Sequence, residues 1–332
     1  MKKICILLLA VVITALAAAQ TPPEGAIVRL DPALDGIIPP GAKLEKVAGD
    51  FGFAESPAWV RQGGYLLFSD IANNRINQWS PAGRKVSVFL DRPDSTIPPG
   101  ASSMLGGPNG IAVDPQGRIV YCVRGTHQIM RLEADGQLTE LASRFEGKRL
   151  NCGCNDLVYR SDGALYFTDP RFGVRERRQK GLPEDWELPY LGVFLLKDGT
   201  LQLLTKELSG PNGIAFTPDE KQLYVVDDVK KRIMKYDVRP DGGIANPQLF
   251  VDMTSTPGAN PDSMKVDRNG NIYVPGPGGL WIISAAGRHL GTLSMPEQPS
   301  NASFGDVDGK TLYITAQKSL YRIHLNVSGL RP

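Results

Sequence analysis

Apolar positions fall into short alternating runs separated by turn-forming residues, and one such arrangement recurs along the chain. The segment PNGIAVDPQGRIVYCV at Pro108 returns as CNDLVYRSDGALYFTD at Cys154, PNGIAFTPDEKQLYVVD at Pro211 and PDSMKVDRNGNIYVPG at Pro261. Weaker copies are AESPAWVRQGGYLLFSD at Ala54 and SNASFGDVDGKTLYIT at Ser300. Within each copy an apolar run, a turn carrying Asp, Asn or Gly, and a second apolar run form a hairpin signature. A third alternating run follows at 75–79, 128–132, 232–236 and 320–325, and a fourth at 85–90, 137–141 and 248–251. Helix-period stretches of ten or more residues are absent beyond residue 19.

Six copies in the 313 residues that follow residue 19, about 52 residues each, predict an all-β fold. Four strands per copy make it a six-bladed β-propeller with four-stranded antiparallel blades. The expected domain covers 42–327, preceded by an N-terminal segment at 20–41. The stretch AKLEKVAGD at 42–50 is expected to supply the outer strand of the last blade and close the ring. Two long connections, 91–107 and the Arg-rich 170–191, break the repeat, and loops of that length are commonly functional.

Residues 1–19 carry Lys2 and Lys3, an apolar stretch at 4–16 and an Ala-x-Ala site before Gln20, which reads as a secretory signal peptide. The expectation is a periplasmic or secreted protein, with no membrane anchor after cleavage. Composition agrees with a turn-rich globular chain: 36 Gly and 26 Pro exceed average usage, which is about 12% of residues. Lys and Arg number 37 against 35 Asp and Glu, and removing Lys2 and Lys3 leaves 35 against 35. A neutral surface lacks the basic surplus that neutralises phosphates, so nucleic acid is excluded as a partner. A monomer is expected. Three cysteines remain beyond the signal, and either Cys122 pairs with Cys152 or Cys154, or all three are buried small apolar side chains.

Superposing the six copies puts Glu55, Asn109, Asn155, Asn212, Asp262 and Asn301 at the start of the innermost strands, where they converge on one end of the central channel. Six oxygen-bearing side chains, two of them carboxylates, suit a hard cation such as Ca²⁺. The absence of His and Cys from the ring argues against a zinc-type set. Asn and Asp before Gly also favour tight turns, but Glu55 precedes Ser56-Pro57 and has no turn to serve. His127, His289 and His324 match no common repeat position and form no triad.

At these positions, with ESPAW, KRLNCGCNDLV, FTDPRFG, PNGIAFTPDEKQLYVVD and PDSMKVDRNGNIYV in order, the chain resembles the senescence marker protein/gluconolactonase family of six-bladed propellers over residues 53–324. That family includes regucalcin and the diisopropyl-fluorophosphatase type. The resemblance implies hydrolysis of a sugar lactone and one divalent metal, Ca²⁺ first, with Mg²⁺, Mn²⁺ or Zn²⁺ as alternatives. Its metal-binding positions match Glu55, Asn155, Asn212 and Asp262; in some members the residue matching Asn155 contacts substrate instead. Asn109, Asp169 and Arg171 are expected to meet substrate, and Asn301 to lie beside them. Many relatives have Ser and Pro before the first Asn where this chain has Cys152-Gly153-Cys154, which places thiols beside the site, and the position of a second, structural calcium ligand holds Lys265. Asp262 is the candidate general base. The alternatives are an organophosphate or other ester hydrolase on the same site, and a non-catalytic exported binding module.

Overall fold

The computed structural model describes residues 25–101, 103–171 and 186–330. The expected signal peptide and most of the Arg-rich connection lie outside these residues. The described chain contains no α-helix; it consists of β-strands, turns and one short 3₁₀ segment, Pro32–Gly36.

Six antiparallel sheets form the blades of a propeller. From the channel outward, blade 1 is Ala54–Val60, Tyr65–Asp70, Arg75–Ser80 and Lys85–Asp91. Blade 2 is Pro108–Val113, Ile119–Val123, Gln128–Leu132 and Leu138–Ala142. Blade 3 is Leu157–Tyr159, Leu165–Asp169, Gly192–Lys197 and Thr200–Thr205. Blade 4 is Pro211–Phe216, Gln222–Asp227, Arg232–Val238 and Ile244–Asp252. Blade 5 is Lys265–Val266, Ile272–Gly276, Gly279–Ile283 and His289–Leu293. Blade 6 is Pro299–Gly305, Thr311–Ala316 and Ser319–His324, closed by Glu45–Ala48, which pairs with Ser319–His324. The first strands touch in cyclic order and so line the channel.

Burial follows position in the blade. Second strands are covered by neighbours on every side and read as continuous apolar runs, so Leu165–Asp169 and Ile119–Val123 are buried throughout. Outer strands such as Lys85–Asp91 are exposed or half-buried along their whole length. Apolar side chains from adjoining blades interlock between them, as where Tyr166 meets Phe216 edge-on at 4.9 Å between ring centres.

Two features add to the expected plan. Ile27–Arg29 pairs with His289–Leu293 as a fifth strand on blade 5, and the following Leu34, Ile37 and Ile38 are buried against blades 5 and 6. A two-residue hairpin, Arg144–Phe145 with Lys148–Arg149, precedes blade 3. The connection after blade 1 is tied down through Asp94, whose carboxylate accepts from the backbone N–H of Gly107 and Gly125 at 2.7 and 2.8 Å.

Candidate functional site

Backbone irregularities at one end of the channel aim the site residues. In blades 1, 2, 4 and 6 the pairing of first and second strands slips at the residues carrying Glu55, Asn109, Asn212 and Asn301. Such bulges bend a strand and re-aim its side chains, and Ser56, just after Glu55, takes the left-handed φ of 48°. Asn155 and Asp262 sit differently, in the irregular segments before Leu157–Tyr159 and Lys265–Val266.

The loops leading into the ring are held by a repeated device. Where a second strand ends in Asp, its carboxylate accepts from backbone N–H groups of the loop before the adjacent first strand. Asp70 accepts from Gly52 and Phe53, Asp169 from Asn151 and Cys152, and Asp227 from Gly210. A hydroxyl one residue earlier straps the next blade: Ser69 donates to the carbonyl of Asn109 at 2.6 Å, and Thr168 to that of Asn212 at 2.7 Å.

Five of the six ring residues are buried, at 5% exposure or less for Glu55, Asn109, Asn155, Asn212 and Asn301, and Asp262 is half-buried. Glu55 Oε2 accepts from Ser56 N, from Ser56 Oγ at 2.8 Å and from Asn301 Nδ2 at 3.0 Å. Burial raises the Glu55 pKa against those hydrogen bonds, and the charge of Asp156 adds to the rise. Burial also pushes Asp262 well above the usual carboxylate range, reinforced by the charges of Glu55 and Asp228. Asn212 gives its Nδ2 to Asp228 Oδ2 at 3.4 Å, while Asn212 Oδ1 and Asp228 Oδ1 are buried without a partner.

Among the described residues no group of three or more His, Cys, Asp or Glu side chains gathers as a metal cluster. The ring is instead a mixed set, in which amide oxygens would complete what two carboxylates begin. An orphaned amide oxygen near two carboxylates, one of which raises the pKa of the other, is a donor set that fits a hard cation.

The remaining expected residues separate. Asp169 is fully buried with its pKa pushed up to about 6 by burial, and its two oxygens are engaged by Asn151 and Cys152. Arg171 lies over the ring of Trp186, 5.2 Å from its centroid, donates to Leu188 O and reaches Asn151 Oδ1 at 3.4 Å. It thereby fastens the described end of the long connection. Cys122 and Cys154 are bridged, and Cys152 is a free, buried thiol. Lys265 pairs with Asp156, next to Asn155, at 3.7 Å.

Sequence reasoning passed over Asp228 and Arg124. Each follows the last residue of a second strand, and each bonds the loop before the ring in the same way, Asp228 N to Gly210 O and Arg124 N to Gly107 O. Repeat alignment one position beyond Asp227 and Val123 would have found both. Arg124 is buried, and the charges of Glu55 and Asp262 act on it.

The fold and ring together define a six-bladed propeller with an oxygen-donor site at one mouth of its channel. The chain belongs to the SMP-30/Gluconolactonase/LRE-like region family, which matches residues 53–318. It is 35% identical over 318 residues to a gluconolactonase of Zymomonas mobilis, covering 92% of this chain and 87% of that one. It is 25% identical over 285 residues to regucalcin of Xenopus laevis, covering 82% and 86%. The solved structure of a gluconolactonase from Xanthomonas campestris superposes with a TM-score of 0.78 at 34% identity, covering 92% of this chain and 99% of that one.

Proposed function

We propose that the protein is an exported lactonase that opens a sugar lactone with the help of one divalent cation, Ca²⁺ first among the candidates. The observation that carries the reading is the pairing of Glu55 and Asp262 beside the orphaned Oδ1 of Asn212. Its support is the family and the gluconolactonase relatives. Glu55, Asn155, Asn212 and Asp262 would hold the cation. When bound, it supplies Lewis acidity that polarises the lactone carbonyl.

The chain's own residues perform the remaining tasks. Asp262 accepts a proton from water as the water oxygen bonds to the carbonyl carbon; the bond from that carbon to the ring oxygen then breaks, and the proton passes to the departing alkoxide. Lactone and water become one hydroxy acid. Glu55, held by Ser56 and Asn301, keeps its charge and offsets that of the cation. Asp228 turns the Asn212 amide so that Nδ2 faces it and Oδ1 faces away. Asn109, whose buried Nδ2 has no partner, is a hydrogen-bond donor for substrate oxygens. Export is supported by the signal-like residues 1–19 and by the disulfide, which persists in oxidising compartments.

The test is a metal analysis of purified protein with rates on a panel of sugar lactones and an organophosphate ester. Turnover of a lactone that chelator abolishes and Ca²⁺ restores is the expected result. Failure on every lactone with Ca²⁺, Mg²⁺, Mn²⁺ and Zn²⁺ each supplied overturns the reading.

A further inference from the structure

Three consecutive blades are joined to their neighbours from the penultimate residue of the second strand, and not with the same chemistry. In blade 1, Ser69 pairs opposite Glu55 and its hydroxyl holds the carbonyl of Asn109 in blade 2. In blade 3, Thr168 holds the carbonyl of Asn212 in blade 4. Between them, in blade 2, the equivalent position is Cys122, the penultimate residue of Ile119–Val123. A sulfhydryl is a weak donor and a poor substitute for that hydroxyl. Cys122 is instead bonded to Cys154, the residue immediately before Asn155 of blade 3, with 5.4 Å between Cα atoms.

Asn155 is where such a strap matters most. Glu55, Asn109, Asn212 and Asn301 lie within first strands, Glu55 and Asn301 paired with the second strand and Asn109 and Asn212 at bulges between paired residues. Blade 3 has a first strand of only three residues, beginning at Leu157, so Asn155 stands in an irregular segment. Asp169 anchors the upstream end of that segment at Asn151 and Cys152, and Asn155 N donates to Thr168 O at 2.8 Å. Cys154 lies between these anchors. The surroundings are tight: a Cβ on Gly110 would come within 2.6 Å of Asn155 O and 3.0 Å of Cys122 Sγ, so the bridge and the Asn155 carbonyl press on the same point of blade 2.

We propose that the Cys122–Cys154 disulfide is a covalent replacement for the hydroxyl strap, and that it positions Asn155 in the ring. It acts through Asn155 and touches neither cation nor substrate. The bridge is fully buried, so reductant reaches it only through opening of the fold, and substitution is the cleaner probe. The catalytic consequence rests on the proposed lactonase reading; the structural one does not.

The experiment compares wild type, Cys122→Ala/Cys154→Ala and Cys122→Ser/Cys154→Ala. The last can restore a hydroxyl facing the Asn155 carbonyl. Non-reducing peptide mapping of wild type should recover Cys122 and Cys154 in one linked pair with Cys152 as a free thiol. In the double-alanine protein, amide exchange across residues 151–156 should quicken at least tenfold while peptides around Asn212 and Glu55 stay as in wild type. Its kcat/KM on the substrate lactone should fall about tenfold, and the serine variant should recover part of both losses.

Unlinked Cys122 and Cys154 in wild type overturn the proposal. So does a folded double-alanine protein with unchanged exchange at 151–156, or loosening spread evenly over all blades. If that protein fails to fold, the decision passes to the serine variant. In it, exchange at 151–156 that matches wild type or quickens there alone supports the strap, and loosening spread evenly over all blades overturns it. A wild type inert on every lactone defeats the proposed function while exchange and mapping still decide the strap.

Discussion

Glu55 and Asp262 are a burden on the metal-free fold: Glu55 is buried, Asp262 is half-buried, and the charge of Glu55 raises the pKa of Asp262. Replacing Asp262 by Asn removes one of two repelling charges and keeps the shape. In chelator, Asp262→Asn should therefore unfold at higher temperature than wild type, by the equivalent of about 1 kcal/mol. With Ca²⁺ supplied, its lactone turnover should drop on the order of a hundredfold or more. A protein that loses stability in chelator would show that the two charges do not oppose each other. Asp169 gives the pH counterpart. Its folded pKa, raised to about 6 from 3.8, means that its contribution to stability is intact below the unfolded value and is lost as pH rises through the folded one. The loss amounts to about 3 kcal/mol between roughly pH 4 and 6. Chemical denaturation across that range should show the slope in wild type and a flatter line in Asp169→Asn. The sequence made the ring legible because its six members share one repeat position, each with an oxygen-bearing side chain. It left the partners Asp228 and Arg124 hidden, since their side chains differ from blade to blade although their backbone bonds do not.

At the scale of strands, the alternating runs located second and third strands well, because burial on both faces leaves an apolar run there and half-burial leaves alternation. The first strands were legible as the leading run of each hairpin, but their bulges were not. Their bulges arise from six strands crowding one channel, a tertiary constraint with no local signature beyond a short residue such as Gly110 or Gly213. Gly213 shows the same crowding as Gly110: a Cβ there would lie 2.6 Å from the backbone of Ser263 and 2.7 Å from the carbonyl of Asp262. Gly110→Ala should cost about 1–3 kcal/mol, as overpacking does. Because Asn155 is displaced along with Leu157, lactone turnover should fall as well. Urea unfolding and initial rates read the two effects. Wild-type values for both would mean that blades 2 and 3 separate easily at the ring. The three-residue strand Ile27–Arg29 escaped the pattern for a different reason. It is an outer strand, partly exposed along its length, and carries no alternation that three residues could display.

Across the whole molecule, a propeller is stable only if its first and last blades join, and here the joining element comes from the N-terminal side. Glu45–Ala48 completes blade 6, and Glu45 pairs with Arg322 at 2.8 Å on the adjoining strand. The segment before it does more than lead in. Leu34, Ile37 and Ile38 are buried among Leu290, Leu293 and Leu325, so blades 5 and 6 share a covering that neither would have alone. Leu34→Ala, at 0% exposure, should destabilise by about 2–4 kcal/mol through lost burial and the cavity left behind. Removing residues 25–48 goes further. It strips that cover and leaves Ser319–His324 as an unpaired edge, and exposed edges recruit other chains. The shortened protein should lose its single cooperative transition and self-associate, as read by calorimetry and light scattering. A truncated protein that melts in one transition as a monomer would place closure of the ring in contacts among the first strands alone. The ring site would then stand independent of the N-terminal segment, with lactone turnover surviving the cut.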